Sequence, residues 1–154
     1  MPTHYRGAKD DVAVLNAFIK VSRANLELNA SLAKHMAEHR LTSGQFGILE
    51  TLLHLGPLCQ HELGAKLLSS KPNISAVLDN LERDGLVRRE RDEEDRRALR
   101  VNLTAKGRRL IEKAFPSFLT YLKDAFGALS QDELAALGGL AKTLGRSLES
   151  KRKK

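Results

Sequence analysis

The chain has 154 residues, of which 42% are hydrophobic and 29% charged, with one cysteine and a formal net charge of +7. That length suits one structural domain with a real core, and a single cysteine excludes an internal disulfide. The sequence shows no charged-then-apolar leader and no apolar run long enough to span a bilayer, so the expectation is a soluble, cytoplasmic protein without a membrane partner.

The positive charge favours an anionic partner, but four of the charges sit in Lys151-Arg152-Lys153-Lys154, leaving +3 for the rest. That terminal run reads either as a solvated end or as an auxiliary nucleic-acid contact. Placement says more than the total. Arg88, Arg89, Arg91, Arg96, Arg97 and Arg100 crowd into one short stretch, where phosphates would use them.

In chain order, residues 1–9 are an arm without periodicity. A long helix is predicted from Asp10 or Asp11 to about His39, with Leu15, Phe18, Ile19, Ser22, Leu26, Asn29, Leu32 and Met36 in one stripe and acidic residues at its start. Several stripe positions are polar, which does not suit the core of an isolated monomer. A second helix opens on Thr42-Ser43-Gly44-Gln45, a capping box, with Leu41 and Phe46 placed as a hydrophobic staple, and stops at Gly56-Pro57. A third follows Cys59-Gln60-His61-Glu62, capping-box spacing with a thiol in place of a hydroxyl.

The stretch from Ser70 carries the argument. Ser70 is placed as an N-cap, Lys71 and Pro72 fill the first turn, and Ile74, Val77, Leu78 and Leu81 form an apolar face. The other side carries Lys71, Asn73, Ser75, Ala76 and Asn80, all but the lysine short, as a helix requires if its outer face must approach something closely. Gly85 is placed as its C′ residue. The period then changes to two: a hairpin runs from Leu86 through the acidic turn Asp92 to Asp95 and back along Leu99, Val101 and Leu103. Such a helix followed at once by a hairpin is what a winged helix-turn-helix needs, the helix in the major groove and the wing in the adjacent minor groove. Thr104 is predicted to cap a fifth helix that kinks at Pro116, and Ser130-Gln131-Asp132-Glu133 to open a sixth, with Leu134, Leu137, Leu140, Ala141, Leu144 and Leu148 inward.

The fold expected is therefore mainly α with a small two-stranded β wing, a winged helix-turn-helix with long N- and C-terminal dimerisation helices. Its parts are an arm and dimerisation helix (1–40), a reading unit (41–103) and C-terminal helices with a basic tail (104–154). The first, fifth and sixth helices of two chains are expected to interlock as an isologous homodimer, presenting two reading helices to half-sites roughly 10 bp apart on a pseudo-palindromic double-stranded DNA operator.

The segments LTSGQFGILETLLHLGPLCQHELGAKLL, SKPNISAVLDNLERDGLV and DEEDRRALRVNLTAKG together resemble the MarR family of winged-helix transcriptional regulators. HYRGAKDDV and LLSSKPNIS are similar to its quinone- and phenol-responsive branch. The resemblance implies a repressor released from its operator by a small aromatic or phenolic compound, with Arg97 in the minor groove and Asp95 bracing the tip of Asp95-Arg96-Arg97. It also implies an effector cleft, with His35, His39 and Phe46 as candidate lining residues by approximate position. Where Ala76 stands, family members often have a long basic residue, so weight shifts toward the wing.

Read from their chemistry, Asn73 offers an amide fork for adenine or is merely a helix-terminal polar residue, while Ser70, Lys71 and Ser75 suit phosphates. Arg97 is otherwise a surface ion pair. Cys59 is either a redox-sensing thiol, its pKa lowered at a helix start, or a small cap. The resemblance favours the cap, because redox-sensing relatives carry their cysteine in the first helix. His35 and His39 have the spacing at which two imidazoles share a metal, but no cluster supplies the other ligands, and neither metal nor cofactor is expected. No nucleophile–base pair or phosphate loop stands at a usable spacing, so the chain is not expected to be an enzyme. The remaining alternative is a winged-helix module that binds protein without reading DNA.

Overall fold

The computed structural model describes residues 3–67, 71–92 and 98–152, with backbone alone at 71, 72 and 152. Among these residues the order is α1 (Lys9–Glu38), α2 (Ser43–Leu55), β1 (Leu58–Cys59), α3 (Gln60–Lys66), α4 (Lys71–Arg83), β2 (Val87–Arg91), β3 (Leu99–Leu103), α5 (Ala105–Ala125) and α6 (Gln131–Arg152). The chain divides into two compact units, residues 1–118 and 119–154, with the boundary inside α5.

Local chemistry sets the helix ends. Thr42 accepts the Gln45 N–H at 3.1 Å while Gln45 Oε1 accepts the Thr42 N–H at 2.9 Å, the reciprocal capping box expected at the start of α2. At α3 Glu62 closes a box on Cys59, its Oε2 accepting the Cys59 N–H at 2.7 Å. Helix α4 ends in a Schellman turn: Leu86 N–H reaches Leu81 O at 2.8 Å, Gly85 N–H reaches Glu82 O at 2.9 Å, and Gly85 has φ +70°. The same motif ends α1, with Leu41 N–H on Met36 O and Arg40 N–H on Ala37 O, but there the left-handed residue is Arg40 at φ +58°.

The sheet is three-stranded rather than the two-stranded wing expected, in the order β1-β3-β2 with both pairs antiparallel. The extra strand, Leu58–Cys59, pairs with Val101 and Arg100, and two residues are too few to show a period of two. Behind it lies the core: Ile48, Leu49 and Leu52 of α2, Leu63 of α3, Ile74, Leu78 and Leu81 of α4, Val87 and Val101 of the wing, and Ile111 of α5. Leu99, an apolar position of the returning strand two residues before buried Val101, is 46% exposed opposite Arg91.

Helix α5 runs through Pro116 unbroken to Ala125. Of the α6 leucines expected to point inward, Leu134 is half-buried while Leu137, Leu140, Leu144 and Leu148 are exposed, and so are Val14, Phe18, Val21 and Leu26 of α1. Among the described residues no helix is long and apolar enough to cross a membrane.

Candidate nucleic-acid interface

Helix α4 has three faces, each with its own chemistry. Ile74, Leu78 and Leu81 are buried and fix the helix to the core. Asn73, Ala76, Asn80 and Arg83 are exposed along the opposite, open side. Between them Ser75, Asp79 and Glu82, spaced i, i+4 and i+7, meet the wing through Arg89. Before Arg83, at its C-terminal end, the open face carries only the short side chains of Asn73, Ala76 and Asn80, so a groove wall could approach its backbone closely there. Asn73 lies on that face as expected, whereas Ser75 is half-buried on the wing side.

The wing's arginines are not the uniform phosphate-binding set that their crowding in sequence suggests. Arg89 pairs with Asp79 at 2.6 Å and with Glu82 at 3.0 Å. Arg100 Nε donates to buried Asp92, and its Nη1 reaches the Pro57 carbonyl at 3.5 Å. The hydrogen bond and charge of Asp92 hold the Arg100 guanidinium above its ordinary pKa. Arg88 is exposed but lies 2.9 Å from Glu90, which also accepts from Asn102 at 2.9 Å. A carboxylate within reach competes for each of these guanidiniums, and sequence spacing does not reveal which arginines have one. Ser70, Asp95, Arg96 and Arg97 lie outside the described residues, and so does the side chain of Lys71.

The wing root is bolted to the helices on both sides. Thr104 Oγ accepts the Gly107 N–H at 3.0 Å, capping α5, and donates to Gly85 O at 2.7 Å. Its N–H donates to Leu86 O at 3.1 Å. One residue thus joins the end of α4, the start of the wing and the start of α5.

Residues 41–99 match the model of the MarR family. An HTH-type transcriptional regulator of Bacillus subtilis, YkoM, is 32% identical over 131 residues, covering 85% of this chain and 85% of its own length. The chain belongs to the MarR family. It is therefore a DNA-binding transcriptional regulator rather than an enzyme. Among solved structures similar to this MarR-family chain is AbsC, a MarR family regulator from Streptomyces coelicolor, with a TM-score of 0.85 at 26% identity, covering 95% of this chain and 99% of that one. A variant of Escherichia coli MarR complexed with operator DNA has a TM-score of 0.78 at 22% identity, covering 86% of this chain and 95% of that one.

The other candidate residues of this MarR-family regulator fall into three settings. His35 Nε2 and Ser117 Oγ share a hydrogen bond at 3.1 Å, and His39 stands edge-on to His35 with ring centroids 5.8 Å apart and a buried Nε2 that has no partner among the described residues. Phe46 belongs to the core, 4.6 Å from the ring of Phe118, so its area is already spent on folding. Cys59 is buried as the N-cap residue of α3, a position that keeps solutes from its sulfur. Among the described residues no three His, Cys, Asp or Glu side chains gather as a metal would need.

The sequence reading missed two residues. Asp92 reads as part of an acidic turn, yet it is buried and anchors Arg100 from inside the wing. Its signal is the i, i+8 spacing across a hairpin, legible only once the register is known. Ser117 lies a long way from His35 in sequence, and no local pattern pairs them.

Proposed function

We propose that this chain is an operator-binding repressor. It acts as a homodimer, reads a pseudo-palindromic site with half-sites roughly 10 bp apart, and leaves it when a small aromatic or phenolic compound binds. Residues 41–103 are the reading unit, and the helices on either side make the dimer. The observation that carries this reading is the open face of α4, where Asn73, Ala76 and Asn80 stand exposed beside a hairpin clamped to the same helix.

Asn73 supplies the amide fork for an adenine edge, and Ser70, Lys71 and Ser75 supply phosphate or water-mediated contacts. Arg97, with Asp95 and Arg96, reaches the minor groove from the wing tip. His35 and His39 with Ser117 mark where the effector binds. That effector must prefer a dimer whose reading helices are wrongly spaced, because equal affinity for both states would shift nothing. The protein works in the cytoplasm, where a buried Cys59 stays reduced.

The test is binding to a duplex selected from a random-sequence pool, measured over a salt series with unlabelled competitor and then with phenols. A strong preference for the selected duplex, a steep salt dependence and release by a phenol are expected. Arg97→Ala should cost operator affinity about tenfold or more without lowering the melting temperature. Weak salt dependence without sequence preference would mean a protein-binding module instead.

A further inference from the structure

Arg89 ends its side chain on α4 rather than in solvent. It leaves β2 on the same side as buried Val87, and only 17% of the side chain is exposed. Nη2 lies 2.6 Å from Asp79 Oδ1 and donates to the Ser75 carbonyl at 3.4 Å. Nη1 donates to Glu82 Oε2 at 3.0 Å, and the Arg89 backbone N–H donates to Glu82 Oε1 at 2.9 Å. One planar fork therefore spans two turns of the helix on the row next to its open face.

We propose that Arg89 is a positioning residue that fixes the rotation of α4 against the wing, and through it the operator preference, without itself touching DNA. This rests on the operator-binding reading above. The aliphatic contacts of Ile74, Leu78 and Leu81 hold α4 to the core but have no directional preference, so they tolerate a small roll of the helix about its axis. Hydrogen bonds to a base edge do not tolerate it, since they weaken steeply with angle. A fork anchored at Ser75, Asp79 and Glu82 removes that freedom.

Stability alone gives little reason for the guanidinium. Its Nε–H is buried without a partner among the described residues, while Asp79 and Glu82 are 62% and 40% exposed and would be rehydrated if it left. An unbranched apolar side chain at this position should therefore leave the fold about as stable as before.

The test compares wild type with Arg89→Met, Arg89→Lys and Glu82→Gln. Each is titrated with a duplex selected by wild type from a random pool and with a scrambled duplex of the same length, from about 50 to 200 mM salt. Melting temperature is measured alongside. For Arg89→Met we expect the selected-to-scrambled preference to fall about tenfold or more, with melting temperature, scrambled-duplex affinity and salt slope unchanged. Arg89→Lys, which keeps a charge but not the fork, should recover part of the preference.

A preference retained within about twofold overturns the proposal, and so does a salt slope reduced by about one, which would make Arg89 a phosphate contact. If Arg89→Met does not fold, Glu82→Gln decides: its preference must fall at unchanged melting temperature, and wild-type preference overturns the proposal. Wild type failing to distinguish the two duplexes would instead defeat the operator-binding reading on which the inference stands.

Discussion

A β-carbon at Gly107 would lie 1.9 Å from the carbonyl oxygen of Leu86 and 2.8 Å from its carbonyl carbon. That oxygen cannot retreat freely, because it accepts the Thr104 N–H at 3.1 Å. Gly107→Ala must therefore push the first turn of α5 off the wing root and strain the links from Thr104 to Gly85 and Leu86. We expect a loss of about 2 kcal/mol or more, read as a lower urea midpoint at unchanged slope. The opposite change is available at Arg40, which holds φ +58° at the end of α1. Arg40→Gly removes the left-handed penalty of a residue with a β-carbon and should stabilise the fold by about 0.5–1 kcal/mol in the same assay. The two residues differ in how visible they are. Gly107 stands three residues after the predicted cap Thr104 and closes the segment DEEDRRALRVNLTAKG, whereas nothing in an arginine announces positive φ.

Helix α6 depends on its first turn in a way that pH can probe. The Glu133 carboxylate accepts the Ser130 N–H at 2.8 Å and the Ser130 Oγ–H at 2.9 Å, with the backbone bond first in importance, and together they hold its pKa below the ordinary glutamate value. A pKa lowered in the folded state means that the cap's contribution is present above the unfolded value and is lost as pH falls through the folded one. The Glu133 carboxyl resonance should therefore titrate below that of a free glutamate, and in Ser130→Ala it should return part of the way, since the backbone donor remains. A wild-type titration at the free value would mean the box does not form. Such ends were legible: Thr42-x-x-Gln45, Ser130-x-x-Glu133 and Gly85 each act through bonds three to five residues long, and they stand where the sequence puts them. What was not legible is set by register and long-range packing. Whether an arginine of the wing meets Asp79, Asp92 or solvent depends on which strand face looks at α4, and a two-residue β1 has no pattern to read.

At the scale of the whole molecule, the apolar positions that the single chain does not bury become the question. On α6, Leu137, Leu140, Leu144 and Leu148 recur at intervals of three and four and are between 43% and 71% exposed, while α1 leaves Phe18 and Leu26 at 67%. Exposed apolar side chains at helical spacing are costly in water and are the kind of surface that a second chain can cover. An isologous dimer carries two copies of α4, so operator affinity would gain from two half-sites held at high effective concentration. Leu140→Lys combined with Leu144→Lys puts two charges into that surface without breaking helix propensity, because lysine is a good helix former. We expect wild type to sediment as a dimer at micromolar concentration and the double variant as a monomer. Its affinity for the selected duplex should fall by about a hundredfold or more, and its affinity for a single half-site should barely change. If the variant remains a dimer, α6 is not the contact. If it becomes a monomer that binds the full duplex as wild type does, the two reading helices do not act together, and the half-site spacing argued from symmetry has no physical basis.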